Sequence, residues 1–431
     1  MSTLFLQGVA APQEHAVNKS LLDLWQMKAT LAQGHAFDAT SDVDEVMLDS
    51  ILAVTYGTST GVTKVQLEML SKLSDLPGAS STKENAAVFP VADRPPIYDA
   101  IAELAASTEI GMKSPLGGLH HKWALKCYPA LRKAVKLKDS MITETLHTAW
   151  QKFNNPQTSD DDIKSACDLI VAREVSLAKK QGRPPEHDSP VVRDELYGFI
   201  QAGFDTSGGT VKWGLKYLTK HQDVQRKLRA SLRAAHKGAA AKGELPAAID
   251  VARMRIPYLD AVLEEILRLG ITAAATARVT TQDVEVLGYH IPEGTDVFMM
   301  CSGPSMTAPP MHVDENKRSQ SSRLLSAEER WTGDWDPETL AEFNPDRWLR
   351  KNDQGDIEFD SKSGPMQTFG GGLRGCFGRK LAMLGLRTIF TLIIWSFELL
   401  PIPEDLGTWA AEDLMTHQPQ QTYVRLRAFD T

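Results

Sequence analysis

The chain has 431 residues, of which 42% are hydrophobic and 24% are charged, a composition typical of a globular protein with ample material for a core. A formal net charge of −8 argues against a general affinity for nucleic acids. The four cysteines form no C-x-x-C pair, so neither a zinc site nor a disulfide framework is predicted. They are Cys127, Cys167, Cys301 and Cys376.

The N-terminal part of the chain shows helical spacing of apolar residues in several segments. Its first residues contain neither a basic stretch nor a long apolar stretch, so no signal peptide is predicted. Residues 78–85 are polar and small, which favours a loop. Helices are predicted over residues 21–32, 42–56, 138–150 and 163–180, with further helical pieces over 95–134 that are broken at 115–118.

A long helix is predicted from Pro190 to Leu218. Ser189 is a favourable N-cap for it, and proline suits the first helical position. Glycine is costly inside a helix, so the glycines of this segment are expected to serve a purpose other than helix formation. A kink is expected at Gly203. The glycines are Gly198, Gly203, Gly208, Gly209 and Gly214.

A strand-rich region follows a further helix, which is predicted over residues 258–269 after Pro257. Short runs of strand-forming residues are bounded there by turn residues, which predicts β-structure. These strands are predicted over residues 276–279, 284–287 and 296–300. Together with the helices, they indicate a fold that is mainly α with minor β.

The last part of the chain is predicted to contain a surface insertion and a core helix. Residues 308–334 are rich in proline, serine and charge, which favours an insertion. Residues 381–400 form the most apolar stretch, but they include Arg387 and Glu398. A buried helix is therefore predicted there rather than one that crosses a bilayer.

A glycine-rich loop around Cys376 carries most of the chemical information. Residues 369–378 have the sequence Phe-Gly-Gly-Gly-Leu-Arg-Gly-Cys-Phe-Gly. Glycines let the backbone approach a large flat ligand closely, and their N–H groups can point at the sulfur and lower its basicity. A thiolate held in this way is a strong axial ligand for haem iron. The alternative is a glycine-rich turn around a buried structural cysteine.

The long helix contains a second group with chemical potential. Residues 202–207, Ala-Gly-Phe-Asp-Thr-Ser, place the Asp205 carboxylate and the Thr206 hydroxyl at one bend. Together these groups could relay protons from solvent into a buried site. An ordinary kinked core helix is the alternative, because short motifs recur by chance.

Glu265 and Arg268 form a third group, since residues at i and i+3 lie within reach on one helix face. Their apolar neighbours favour burial of the pair. A buried pair requires further partners, and Arg347 could complete it. The alternative is an exposed ion pair of little energetic consequence.

These segments resemble the motifs of the cytochrome P450 family. Residues 202–207 match its oxygen-activation motif, Glu265 and Arg268 match E-x-x-R, and residues 343–348 match F-x-P-x-R-W. They occur in family order, so the resemblance is strong over residues 190–431 and softer over 21–180. The haem-binding motif F-x-x-G-x-R-x-C-x-G is matched at Phe369, Gly372, Arg374, Cys376 and Gly378.

The resemblance implies a cytochrome P450 fold that forms a single domain over residues 1–431. Cys376 would be the axial ligand of haem b, while Thr206 and Asp205 would deliver protons. A structural network behind the haem would consist of Glu265, Arg268 and Arg347. The resemblance also implies a set of cofactor-binding residues. Within this set, Arg278 and Arg374 would pair with the haem propionates. The loop residues Phe369, Gly370, Gly372 and Gly378 would contact the haem.

The implied function is insertion of one oxygen atom from O2 into a small apolar substrate, with secondary metabolism as the setting. Electrons would come from an NADPH-dependent cytochrome P450 reductase. Arg379 and Lys380 predict a basic patch for that partner or, alternatively, a solvated helix start. Two other functions stay open: a non-catalytic or unstable haem-binding fragment, and a reductase-independent haem-thiolate isomerase or dehydratase.

The sequence departs from the family pattern at its beginning. The family normally begins with a membrane anchor, the opening strands of a small sheet and a helix bearing W-x-x-x-R. None of these is found in the sequence, so an N-terminally truncated member lacking the anchor, opening strands and early helices is expected. The full-length family implies the endoplasmic reticulum membrane, whereas the chain as written predicts a cytoplasmic protein.

Overall fold

The computed structural model describes residues 2–76, 84–155, 157–329, 335–413 and 415–429. Part of the predicted loop, residues 78–83, and the end of the predicted insertion, residues 330–334, lie outside these ranges. The α-helices are Thr3–Phe5 (α1), Ala11–Ala32 (α2), Thr40–Tyr56 (α3), Val62–Leu70 (α4), Pro96–Met112 (α5), Gly118–Cys127 (α6), Pro129–Phe153 (α7), Ala166–Gln181 (α8), Pro190–Lys220 (α9), Gln222–Ala235 (α10), Lys237–Lys242 (α11), Ala248–Arg253 (α12), Pro257–Gly270 (α13), Gln320–Glu329 (α14) and Arg379–Ser396 (α15).

The predicted N-terminal helices are confirmed, and most are longer than their apolar spacing indicated. A π-helical turn, Leu6–Ala10, joins α1 to α2, so that helical structure extends from Thr3 to Ala32. Trp25 on α2 is fully buried, and its indole N–H donates to the Asp42 carboxylate of α3 at 3.0 Å. This contact ties the first two long helices together.

Helix α9 confirms the predicted long helix. The Ser189 hydroxyl accepts from the backbone N–H of Val192 at 3.4 Å, which caps the N-terminus. The helix continues through Gly203 without a break. A Cβ at residue 203 would lie 2.7 Å from Cδ1 of Ile51, which shows that this glycine allows α3 to pack closely.

The strands within the described residues form six two-stranded antiparallel sheets, which pair β1 with β11, β2 with β5, β3 with β4, β6 with β7, β8 with β12 and β9 with β10. The three predicted strands are confirmed, and a further strand that was not predicted begins at Tyr289. The bounds are Phe37–Asp38 (β1), Ala275–Val279 (β2), Val284–Val286 (β3), Tyr289–Ile291 (β4), Asp296–Met300 (β5), Leu349–Lys351 (β6), Ile357–Phe359 (β7), Phe397–Leu399 (β8), Ala411–Asp413 (β9), His417–Pro419 (β10), Tyr423–Val424 (β11) and Leu426–Ala428 (β12).

Helices α9 and α15 run through the main hydrophobic core. Helix α9 packs mainly on α3 and α13, and α15 packs on α2 and α10. The predicted core helix over residues 381–400 ends earlier, at Ser396, because the next residues extend and pair with β12. Among the described residues, no helix combines the length and apolarity needed to cross a membrane.

Candidate active site

A cavity of about 500 Å³ lies between α9, the Cys376 loop and the start of α15. This volume falls within the range that small-molecule and cofactor sites occupy. Most of the lining is apolar, whereas the Cys376 side chain contributes a thiol to it. Apolar lining residues include Met47, Ile51, Phe199, Phe369, Phe377, Leu381 and Leu386.

The loop over residues 369–378 is held by its own backbone. The N–H of Cys376 donates to the carbonyl of Phe369 at 2.8 Å, and the N–H of Gly375 donates to the carbonyl of Gly372 at 3.1 Å. Gly370 and Gly372 have φ angles of 61° and 62°, a left-handed conformation that side chains disfavour. The loop therefore needs glycine at both positions to present the thiol.

The thiol of Cys376 lies close to the N-terminus of α15. Gly378 caps this helix, and Arg379 is its first residue. A Cβ at residue 378 would lie 3.8 Å from the Cys376 sulfur, so the two residues adjoin in space. The free N–H groups at a helix N-terminus favour negative charge, which suits a thiolate at this position.

These residues fit a haem group. The site offers one soft sulfur donor beside a space with aromatic and aliphatic walls, where Phe199 of α9 and Phe377 of the loop meet edge to face at 6.4 Å. Within the described part of the chain, the exposed guanidinium of Arg374 has no hydrogen bond or ion pair. It is thus free to pair with a carboxylate.

The second arginine expected at a propionate is placed differently. Arg278 lies on β2, is exposed, and donates to the carbonyl of Ala277 at 2.7 Å. Among the described residues that line the cavity, neither Arg278 nor Arg374 is found. Both guanidinium groups therefore lie outside the cavity wall.

The structure separates Asp205 from Thr206, although the sequence predicts that they act at one bend. Thr206 lines the cavity, and its hydroxyl donates to the carbonyl of Ala202 at 2.7 Å. The Asp205 carboxylate accepts from the Thr416 hydroxyl at 2.6 Å and from the Gln418 amide at 3.2 Å. Asp205 therefore faces the strand pair β9–β10, while Thr206 faces the cavity.

The structure brings Glu265, Arg268 and Arg347 together. Arg268 makes two hydrogen bonds to the Glu265 carboxylate, at 2.9 and 2.8 Å, and both side chains are completely buried. The Arg347 guanidinium lies 3.2 Å from the same carboxylate. Burial lowers the pKa of Arg347, and the Glu265 carboxylate opposes that shift.

Further donors complete this Glu265 cluster, and sequence reasoning missed them. The Trp348 indole donates to Glu265 at 2.8 Å, and the backbone N–H of Asn344 donates at 3.0 Å. Trp335 stacks over Arg347, with the guanidinium carbon 4.7 Å from the ring centroid. Trp348 follows Arg347 directly in the sequence, and this adjacency was the available signal.

Two buried acids near the site were also missed. Burial raises the pKa of Glu14, which lines the cavity, to about 7. Burial likewise raises the pKa of Glu264, on α13, to about 7, although Arg379 opposes the shift. The Arg379 guanidinium lies 3.9 Å from the Glu264 carboxylate and packs over the Phe369 ring, so it is partly engaged within the molecule.

The fold is mainly helical, and one loop presents a thiol to an apolar cavity, an arrangement that suits a cysteine-ligated haem. The family model for cytochrome P450 matches residues 5–306 and 336–423. The chain therefore belongs to the cytochrome P450 family.

The chain is similar to fungal cytochrome P450 monooxygenases. It is 37% identical over 431 residues to cytochrome P450 monooxygenase GME11363 of Pestalotiopsis microspora, with 99% of this chain and 74% of the relative covered. It is 34% identical to cytochrome P450 monooxygenase TRI13 of Fusarium sporotrichioides, with 99% and 75% covered. The solved haem domain of cytochrome P450DA aligns with a TM-score of 0.64 at 17% identity, covering 99% of this chain and 75% of that one, and shows the fold alone.

Proposed function

We propose that the chain is a single-domain haem-thiolate monooxygenase in which the Cys376 thiolate would bind the iron of haem b. The observation that carries the proposal is the Cys376 loop, whose two left-handed glycines present the thiol to an apolar cavity. When bound, haem iron with a thiolate ligand activates O2, so that one oxygen atom enters the substrate.

The chain's own residues shape and supply this site. Phe369, Phe377 and Leu381 form apolar walls against which a flat ligand would pack. Arg374 and Arg278, which lie outside the cavity wall, would pair with the haem carboxylates only where those groups extend beyond that wall. Thr206 faces the cavity and can release a proton there from its Oγ1 atom, while Asp205 replaces that proton from the solvent side.

The substrate and the electron donor follow from the surfaces around the site. An apolar lining favours a small hydrophobic substrate, and the naming of fungal relatives as monooxygenases is consistent with secondary metabolism. Electrons would come from an NADPH-dependent cytochrome P450 reductase. Arg379 and Lys380 are exposed beside the loop and offer positive charge to an acidic partner.

The ligand assignment is tested with Cys376→Ser and a matched control, Cys127→Ser, because both thiols are exposed. In the parent chain and the control, the ferrous–CO complex should show the red-shifted Soret band of a thiolate-ligated haem. Cys376→Ser should lose that band, and its retention would contradict the proposal. Turnover that requires both reductase and NADPH separates monooxygenation from haem binding alone and from reductase-independent isomerisation or dehydration.

A further inference from the structure

The strand pair β9–β10 lies against the C-terminal half of α9, beside the end of the cavity. The His417 ring stacks on Trp213 of α9, with centroids 5.2 Å apart and planes 9° apart. The Trp213 indole also donates to the carbonyl of His417 at 3.2 Å. The N–H of His417 donates to the carbonyl of Thr272 at 3.0 Å, so β10 is anchored independently of Asp205.

A directed set of hydrogen bonds joins this strand pair to Asp205. The Gln418 amide donates to the Thr416 hydroxyl at 2.7 Å. Because that hydroxyl accepts from Gln418, its single proton is available for the Asp205 carboxylate, 2.6 Å away. The Gln418 amide also lies 3.2 Å from the other carboxylate oxygen and 3.1 Å from the Asp205 carbonyl. Both carboxylate oxygens are therefore held, which fixes the side-chain rotamer.

Gly209 makes room for this arrangement. A Cβ at residue 209 would lie 2.9 Å from the amide nitrogen of Gln418 and 3.1 Å from its amide carbon. Such distances exclude any larger side chain unless Gln418 moves. Asp205 and Gly209 are one helical turn apart and lie on the same face of α9. The Gln418 side chain therefore packs against Gly209 while its amide donates to the Asp205 carboxylate.

We infer that Thr416 and Gln418 are positioning residues for the Asp205 carboxylate, an inference that rests on the proposed role of Asp205 in supplying protons to the cavity. Asp205 takes a proton from solvent water and passes it, through water, to the Thr206 hydroxyl. Thr206 releases its own proton into the cavity, and both side chains return to their starting states. Proton supply then depends on β9–β10 as well as on α9.

The test compares Thr416→Val with Thr422→Val in the full-chain holoenzyme. Thr422 lies three residues after β10 and is completely buried, and its hydroxyl has no hydrogen-bond partner within the described residues. The two substitutions are thus chemically identical, but only Thr416→Val removes a bond to Asp205. Gln418→Leu and Gly209→Ala provide two further ways to disturb the same contact.

Three measurements report the effect. With NADPH, reductase and 7-ethoxycoumarin as probe substrate, Thr416→Val should lower the oxidation rate by about 10-fold or more, as misplacement of a catalytic group does. The share of NADPH electrons recovered as hydrogen peroxide should rise, because electron supply is unaffected. Hydrogen exchange of the amides at residues 415–418 should quicken by about 10-fold, as expected for loss of a hydrogen bond to a charged group. Thr422→Val should change none of the three.

A double-variant comparison separates positioning from general stability. In an Asp205→Ala background, Thr416→Val should have little further effect on peroxide yield, because its partner is already absent. Equal effects of Thr416→Val in both backgrounds, or equal behaviour of Thr416→Val and Thr422→Val, would overturn the inference alone. Absence of the thiolate–haem band in the parent chain would instead overturn the proposed function, together with the proton role that depends on it.

Discussion

The Glu265 cluster and the Cys376 loop are neighbours, joined by a hydrogen bond from the Thr368 hydroxyl to the carbonyl of Leu267 at 2.9 Å. They differ in how fully their polar side chains are hydrogen-bonded within the chain. The carboxylate of Glu265 is completely buried and surrounded by donors. In the loop, by contrast, the side chain of Phe377 is 72% exposed. A region whose polar groups are paired within the chain stabilises the fold, whereas a region that leaves a thiol and aromatic rings open is suited to binding.

The same contrast appears between two adjacent residues of α13. Glu265 accepts from four donor groups, but Glu264 has a buried carboxylate oxygen with no hydrogen-bond partner among the described residues. Glu264 faces Arg379 at the end of the Cys376 loop rather than the cluster. Glu265 therefore has a full set of donors, whereas burial favours the neutral form of Glu264.

The largest expected effect comes from breaking the cluster. Glu265→Gln removes the carboxylate charge that compensates Arg268 and Arg347, and loss of one partner of a buried ion pair costs about 3–5 kcal/mol. Urea titration should show that loss as a lower midpoint at unchanged slope. Glu285→Gln, at an exposed position, is the control and should stay within about 0.5 kcal/mol. A similarly small loss for Glu265→Gln would contradict the contrast between the cluster and the loop.

Next in size is the pH dependence caused by Glu264. Burial raises its pKa from 4.5 to about 7, so the folded chain holds this proton more tightly than the unfolded chain does. The resulting stability is complete below pH 4.5 and is lost as the pH rises to about 7. Above pH 7, Glu264→Gln should therefore be more stable than the parent by about 3 kcal/mol, which corresponds to the pKa difference.

Unfolding free energies across this pH range provide the measurement. The advantage of Glu264→Gln should vanish well below pH 4.5, where the parent residue is neutral in both states. Glu293→Gln, at an exposed position, should show no such pH-dependent gain. A constant difference between Glu264→Gln and the parent at all pH values would show that the carboxylate does not titrate in this way.

Two glycines of α9 provide a test with a smaller expected effect, because Gly214 faces a packed side chain and Gly198 faces open space. A Cβ at Gly214 would collide with the Phe390 ring, so Gly214→Ala should cost about 1–3 kcal/mol through overpacking. Gly198 lines the cavity, and a Cβ there would meet nothing within 4 Å. Gly198→Ala should instead stabilise the helix by about 0.5–1 kcal/mol. Thermal unfolding distinguishes the two, and equal effects would contradict the difference between the two halves of α9.

The smallest expected effect concerns the stability of the haem-free chain. Cys376→Ser should change it by less than about 0.5 kcal/mol, because the thiol is exposed. Cys167 is the opposite case, since burial raises the pKa of its thiol to about 12. Cys167→Ser should cost about 1–3 kcal/mol by burying a hydroxyl. A large loss for Cys376→Ser would mean that the loop stabilises the fold even without its ligand.

Much of the helical fold could be predicted from the sequence, because local signals mark it. Ser189 and Pro190 marked the start of α9, and short runs of strand-forming residues bounded by turn residues marked β2 and β5. Helix α10 was missed even though its apolar residues recur at helical spacing and become buried. The two-residue strands β1 and β11 could not be predicted, because such short pairs carry no local pattern and form only when distant segments meet.

The residues that form the site were easier to predict than the directions in which their side chains point. Glycine is required where the loop backbone adopts positive φ, so the glycine spacing around Cys376 identified a thiol that faces a cavity. The direction of Asp205 was not predictable, since its partner Thr416 lies 211 residues away in the chain. Adjacency in sequence places Asp205 and Thr206 on the same helical turn, but only tertiary contacts decide which surface each side chain reaches.

The glycines of α9 have a consequence for how such chains diverge. Gly203 faces Ile51 on α3, Gly209 faces Gln418 on β10, and Gly214 faces Phe390 on α15. A larger residue at any of these positions is tolerable only if its particular neighbour moves or is replaced by a smaller side chain. Across relatives, side-chain size at each glycine position should therefore vary inversely with size at the matching neighbour. Three positions of one helix would then covary with three separate partner positions, on α3, β10 and α15.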